Sequence, residues 1–394
     1  MFDNMIWYLF ICLLFFGIGD FLGVATKAKL SAVFVSLLLF LVSFMFGLIP
    51  PDIINQAGLS QIGKWAVGFV VFSMGTSINL RELAQEWRTV TTAILSMLVV
   101  AATLFVLVPV IGYNEVIVSV PIINGGIVAT QIMTSAAMEH GLTMAAALGT
   151  ILYAVQKFFG TPFASFFGMQ EAKRVLAIYR ETGVNPNATV KTTSNGQAPK
   201  PTFFERHKKF YGPFTCLAIT AGFAWIAFCI GKWTGLSYTI WALVLGACVS
   251  STGMVPKNIL MQAKSAGIFN VAVFASIIPS LAKIQLGDLW VLSFSTAAIF
   301  VVVFVSLYVA FGVLPLWKIQ GSRNVALGVA AGQLLGFPAT YLIANEVAQA
   351  ASENEEEKQV VLDALMSKYL VAGFATVTSF SVIIAGFFEK FIVL

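Results

Sequence analysis

Residues 124–141 read NGGIVATQIMTSAAMEHG, and residues 331–350 read AGQLLGFPATYLIANEVAQA. They lie in two runs, 117–139 and 325–350, that are apolar yet rich in Gly, Pro, Ser, Thr and Asn, each interrupted near its middle. In a bilayer, unpaired backbone N–H and C=O groups are costly unless buried in protein or facing a water-filled cavity. A Gly-Gly or Gly-x-Pro interruption at membrane depth therefore signals a cavity. Helix ends at such breaks offer N–H groups to anions and carbonyls to cations.

The rest of the chain supports a lipid setting. Of 394 residues, 58% are hydrophobic and 10% charged, and the mean hydropathy is +0.88. A soluble domain has about 45–50% apolar and about 25% charged residues. This excludes an ordinary soluble enzyme, and the charge deficit excludes a disordered chain. The net charge of +5 comes mostly from one loop, so nucleic acid is not a predicted partner. Cys12, Cys216, Cys229 and Cys248 sit in apolar runs without CxxC spacing and read as packed thiols. Two His, no phosphate-binding loop and no Ser-His-Asp pattern leave no catalytic residue, no metal other than sodium and no ATP-driven step to assign.

Apolar runs long enough to cross a bilayer are predicted at 5–24, 30–49, 65–80, 89–111, 142–168, 213–231, 236–255, 266–282, 290–315 and 367–389. The first lacks a basic n-region and an A-x-A cleavage site, and is expected to be a retained helix. The polar stretch 169–212 reads as a basic linker between a first half, 1–168, and a second, 213–394. If 117–139 and 325–350 enter and leave on one face, ten spans remain and most of the 23 Lys and Arg fall on the linker side. The positive-inside rule makes that side cytoplasmic, which discounts glycosylation of the Asn187-Ala188-Thr189 sequon.

The halves share a pattern. MGTSINLREL (74–83) aligns with SLAKIQLGDL (280–289), matching Ile78 with Ile284, Leu80 with Leu286 and Glu82 with Asp288. In each half a long apolar helix, a broken segment and a final helix follow. Five spans per half is an odd number, so the second half inserts upside down. The expected fold is an all-α polytopic membrane protein, an inverted repeat of two five-helix halves with a re-entrant hairpin in each.

Two such hairpins entering from opposite faces would meet near the midplane. In the first, Asn124, Gly125, Gly126, Thr130 and Gln131 are substrate-binding candidates, and Thr134 and Ser135 cation-binding ones. In the second, Gln333, Thr340 and Asn345 are assigned to substrate, Gly336 and Glu346 to a cation, and Gly332 and Pro338 to the break. Ser77 and Asn79, with Ser280 and Gln285, end the equivalent short helices of the two halves and are further cation candidates. Hydroxyls and amides supply these oxygens and donors. The competing explanation for Gly, Ser and Thr is close helix packing. Lys157 lies far from either end of its span, where a Lys costs about 2.5–3.5 kcal/mol. It is assigned to a substrate carboxylate or to a cation's place. Snorkelling, or a structural pair with Asp20 or Glu139, is the alternative. Gly160-Thr161-Pro162 is expected to kink that helix. Asp20 reads as interfacial, His140 as polar rim, and Glu353–Glu357 as solvated.

FVVFSMGTSINLREL, SLAKIQLGDL and GQLLGFPATYLIANEV resemble segments of the bacterial sodium/glutamate symporters and, more distantly, of the 2-keto-3-deoxygluconate permeases. The resemblance covers nearly the whole chain in layout. It implies a multi-pass secondary transporter of the bacterial cytoplasmic (inner) membrane, a carboxylate-bearing amino acid such as glutamate as substrate, sodium as coupling ion and no other cofactor. It places Gly125, Gly126, Thr130, Gly332, Thr340 and Asn345 on the binding segments. Asn124-Gly125-Gly126-Ile127 departs from a Gly-Gly-His-Gly-type first loop, and Gly332-Gln333 from a Gly-His pair. A proton-coupled or lysine-balanced organic-anion carrier is the alternative. The bulky, Phe-rich spans 1–2 and 6–7 are the expected scaffold and homodimer contact.

Overall fold

The computed structural model describes residues 4–25, 32–78, 84–185, 202–282, 284, 285, 287–336 and 339–393. Every regular element among them is helical. Helices of eight residues or more are numbered in chain order. The first half holds α1 (Met5–Ala25), α2 (Ala32–Met45), α3 (Leu59–Ser77), α4 (Trp87–Leu104), α5 (Tyr113–Ile123), α6 (Ile127–Glu139) and α7 (Thr143–Thr182). The second holds α8 (Pro213–Thr234), α9 (Tyr238–Ser251), α10 (Ala266–Ala275), α11 (Asp288–Tyr308), α12 (Arg323–Ala330), α13 (Ala339–Ala351), α14 (Glu355–Phe374) and α15 (Ser381–Phe388). A four-residue helix precedes α3 (Ile53–Gln56), another precedes α10 (Ile259–Gln262), and Gly332–Leu335 follows α12.

Among the described residues, five helical stretches are long and apolar enough to cross a membrane: Met5–Leu22, Trp87–Ile111, Pro213–Thr234, Asp288–Val313 and Glu355–Phe391. Val35–Met45, Tyr113–Ile123, Tyr238–Ser251 and Ala266–Ser280 are apolar but shorter. The 14 residues of α9 rise about 21 Å at about 1.5 Å per residue, less than the roughly 30 Å of hydrocarbon.

The stretch expected to be a linker from residue 169 begins as helix. α7 runs unbroken for 40 residues, through Pro162, to Thr182. Its tail buries Glu171, Ala172, Val175 and Leu176, a spacing that keeps one face against neighbours. Gly183, at φ 67°, stops it. Residues 186–201, with the sequon, lie outside the described residues.

α7 is the central post: it packs against α5 and α6, against α12 and α13, and against α11 and α14. α14 continues through a wide π-helical turn, Ala375–Phe380, into α15, which lies on α5 and α6. Beside this body α3 crosses α9 and α10, α8 lies on α9, and α1 lies on α2. The α3–α9 crossing needs two glycines. A Cβ on Gly75 would run into Leu243 O, and one on Gly246 into Phe72 O.

The tail of α7 holds both ends of the α12–α13 pair. Near its start, Glu171, 2% exposed, takes two hydrogen bonds from Arg174 (2.6 and 3.1 Å) and one from Ser322 Oγ at 2.5 Å. Near its far end, Arg180 donates to both Glu357 oxygens (2.7 and 2.8 Å) and to Glu353 (3.1 Å). Glu357, its side chain only 6% exposed, also accepts from Glu353 N at 2.8 Å. It therefore stands apart from the solvated charge run expected for Glu353–Glu357. The hydrogen bond to Glu357 is the main cause that raises Arg180 further above the ordinary arginine range.

Gly246→Leu is expected to destabilise the α3–α9 crossing by roughly 1–3 kcal/mol, the usual scale of overpacking, read as a lowered thermal midpoint in detergent. Arg180→Ala is expected to quicken amide hydrogen exchange across 352–357 while leaving exchange in α8 and α9 unchanged.

Candidate functional site

The first break separates α5 from α6. Asn124, fully buried, gives its amide Nδ2 to Val120 O at 2.9 Å, which leaves Oδ1 without a partner. Gly125 O accepts from Gln156 Nε2 on α7 at 3.1 Å, and Gln156 Oε1 is left in the same state. A Cβ on Gly125 would stand 2.5 Å from Ser381 Cβ. Gly126 begins α6 without a side-chain cap, so the first N–H groups of α6 carry the positive end of its dipole uncapped.

The second break follows Gly332–Leu335. Gly336 takes φ 67° and ψ 173°, a region essentially confined to glycine. Phe337 and Pro338 lie outside the described residues, and α13 begins at Ala339. Gln333, fully buried, accepts from Ser96 Oγ on α4 at 3.3 Å, and its Nε2 has no partner. Thr340 Oγ1 is buried without a partner and leaves no room for a Cβ on Gly373.

The two breaks meet across one side chain. Val377, in the π-helical turn, closes on Gly126 from one side, and its Cγ2 would lie 2.9 Å from a Cβ on Gly336 on the other. α7 reaches both: Gln156 bonds the first break, and a Cβ on Gly160, one turn on, would stand 2.9 Å from Leu334 Cβ beside the second. π-helical turns recur at functional sites because they open the i→i+4 ladder.

Four buried polar atoms around this meeting point thus lack partners among the described residues: Asn124 Oδ1, Gln156 Oε1, Gln333 Nε2 and Thr340 Oγ1. Each costs about 1–3 kcal/mol if left so. They divide by chemistry. The first break presents two acceptors, as a cation requires. The second presents an amide donor and a hydroxyl, which suit a carboxylate.

Other expected residues fall variously. Thr130 is buried and donates to Gly126 O at 3.1 Å. Gln131 bonds Ser135 Oγ at 3.0 Å, and Thr134 donates to Gln131 O at 3.4 Å, all within α6. Ser77 donates to Ser73 O and to Asn258 Oδ1, away from either break's hydrogen bonds. Asn79 lies outside the described residues. Ser280 pairs with Thr150 at 2.7 Å, joining the Ile278–Ser280 turn to α7, and Gln285 N donates to Asp288 Oδ2 at 2.9 Å. Asn345 is half-buried and returns its amide to Tyr341 O, and Glu346 is exposed. Neither bonds to a residue of the breaks. Lys157 is half-buried, with no ion pair to Asp20 or Glu139 among the described residues. Asp20, Glu139 and His140 are exposed.

Sequence reasoning passed over Gln156, Ser96 and Val377. Gln156 stood beside the more conspicuous Lys157; an amide one turn before Gly160 in an apolar run was the available signal. Val377 carries no such signal. The chain matches no family model and no curated protein.

Gly336→Ala is expected to lower the thermal midpoint by an amount worth about 1–3 kcal/mol for the backbone conformation, plus the contact with Val377. Adding Val377→Ala should restore only the contact part, which a double-mutant cycle separates.

Proposed function

We propose that the chain is a secondary active transporter that carries a small carboxylate-bearing solute, an amino acid such as glutamate, coupled to sodium. The observation that carries this reading is the meeting of two broken helices at Val377, with unpartnered acceptors on one side and unpartnered donors on the other. The uncapped start of α6 there suits a carboxylate. Broken helices that meet around unpartnered polar atoms are where inverted-repeat secondary transporters hold substrate and coupling ion.

Element lengths support an inverted repeat. α2 and α9 are both 14 residues long and begin 206 residues apart. The short helices Ile53–Gln56 and Ile259–Gln262 repeat at the same offset, as do Ile78 and Ile284. α6 and α13 are both 13 residues long and begin 212 apart, the offset also of α7 and α14. On this reading α5–α6 and α12–α13 are the re-entrant hairpins, the other segments make ten crossings, and the α7 tail is cytoplasmic at a bacterial inner membrane. α8 exposes Phe214, Trp225 and Trp233, which suits lipid or a second copy in a homodimer.

Counterflow of labelled amino and organic acids into proteoliposomes, in sodium or choline, tests the proposal. Saturable, sodium-dependent exchange is expected, and its absence for every solute in both salts would end the reading. Thr340→Val should weaken solute affinity about tenfold, the worth of one hydrogen bond. It should leave the thermal midpoint unchanged or raised, because the lost hydroxyl has no partner.

Lys157, without an ion pair among the described residues, favours a second reading, in which its ammonium balances an organic anion without sodium. Lys157→Met then abolishes sodium-free exchange. Under sodium coupling it leaves the sodium dependence in place.

A further inference from the structure

The geometry points to a monovalent-cation site at the C-terminal end of α5, and we propose that Asn124 Oδ1 and Gln156 Oε1 are its side-chain ligands. The transporter reading supplies only what the cation is for; binding itself follows from local geometry.

Both amides are fixed in orientation. An amide nitrogen donates and a carbonyl only accepts. Asn124 Nδ2 lies 2.9 Å from Val120 O, and Gln156 Nε2 lies 3.1 Å from Gly125 O. Turning either amide over would press two oxygens together, so Oδ1 and Oε1 are committed to the other side. The two side chains are neighbours, since Gln156 bonds the residue after Asn124. Both are at least 98% buried, Asn124 at 0% and Gln156 at 2% exposure. No hydrogen-bond donor reaches either oxygen among the described residues. Ser381, whose Cβ stands against Gly125, gives its proton to Val377 O at 2.7 Å. Buried acceptors without donors call for an explanation, and a cation supplies one.

The surroundings select the kind of cation. α5 ends at Ile123, so the negative end of its dipole and the carbonyls of its last turn lie beside the two amides. The assigned side-chain ligands are neutral. Calcium takes carboxylates and magnesium keeps its waters, so neutral oxygens suit a partly dehydrated alkali ion. Amides do not titrate near neutral pH, so these groups do not store a proton. Because Gly126 packs on Val377 and Val377 on Gly336, an ion that tightens the first break also sets the second.

The test uses the purified full chain in detergent with no solute. Its thermal midpoint is titrated with sodium, potassium, lithium or calcium chloride against choline chloride at constant ionic strength. A saturable rise with an alkali ion and none with choline is expected. Gln156→Leu should abolish the rise. Gln156→Glu, which keeps an oxygen and adds a charge, should lower the half-effect concentration at least tenfold or admit calcium. It keeps the test open if the leucine variant does not fold. The assignment is overturned by a wild-type chain with no alkali-specific rise. It is equally overturned by folded Gln156→Leu or Gln156→Glu with the wild-type ion dependence. A chain that shows the rise yet exchanges no solute would sink the transport reading and leave the site standing. Exchange without the rise would do the reverse.

Discussion

A helix that stops inside an apolar bundle strands the backbone groups of its last and first turns. Here two helices stop and restart, at Asn124–Gly126 and after Leu335, and both interruptions are pressed against Val377. Much of the surrounding structure reads as support for that arrangement. α7 satisfies Gly125 O through Gln156 and offers Gly160 to the Leu334–Leu335 turn. α14 widens into a π-helical turn where the breaks need space, and Gly373 lets Thr340 close in. What remains unsatisfied after this support is specific: two amide oxygens at one break, an amide N–H and a hydroxyl at the other.

That residue of unmet hydrogen bonding carries the functional argument. Packing alone would favour apolar side chains at these positions, since a buried amide with half its groups unpaired destabilises the fold. Close-packed glycines such as Gly75 and Gly246 have a complete structural explanation in the α3–α9 crossing. Asn124, Gln156, Gln333 and Thr340 do not, and the ligands proposed above would supply one.

The pair α12–α13 is held differently from α5–α6. Glu171 grips Ser322 before α12, and Arg180 grips Glu357 and Glu353 after α13, so one helix fixes both of its ends. A buried carboxylate such as Glu171 or Glu357 is tolerable only with charged partners and hydrogen bonds in place. These contacts tie the second break to the long post, whereas α5–α6 is steadied by packing on α7 and α15 and by Gln156.

Composition and patterning alone determine that this is an all-helical chain with lipid-grade apolar helices. They also locate both interruptions, because Gly-Gly and Gly-x-Pro cannot continue a helix cheaply wherever they fall. The helical tail of α7 was legible too, in the apolar spacing of Ala172, Val175 and Leu176, but charge density masked it as linker. Only the tertiary structure decides which polar groups go unpartnered. Thr130 and Asn345 look as available in sequence as Asn124 does, yet the Thr130 hydroxyl is partnered by Gly126 O and Asn345 is only half-buried, whereas Asn124 keeps a buried oxygen without a donor. Gln156 matters because α7 passes the first break at that residue, and Val377 because two glycines leave space on either side of it. Such facts depend on which helices meet, and no local pattern encodes that.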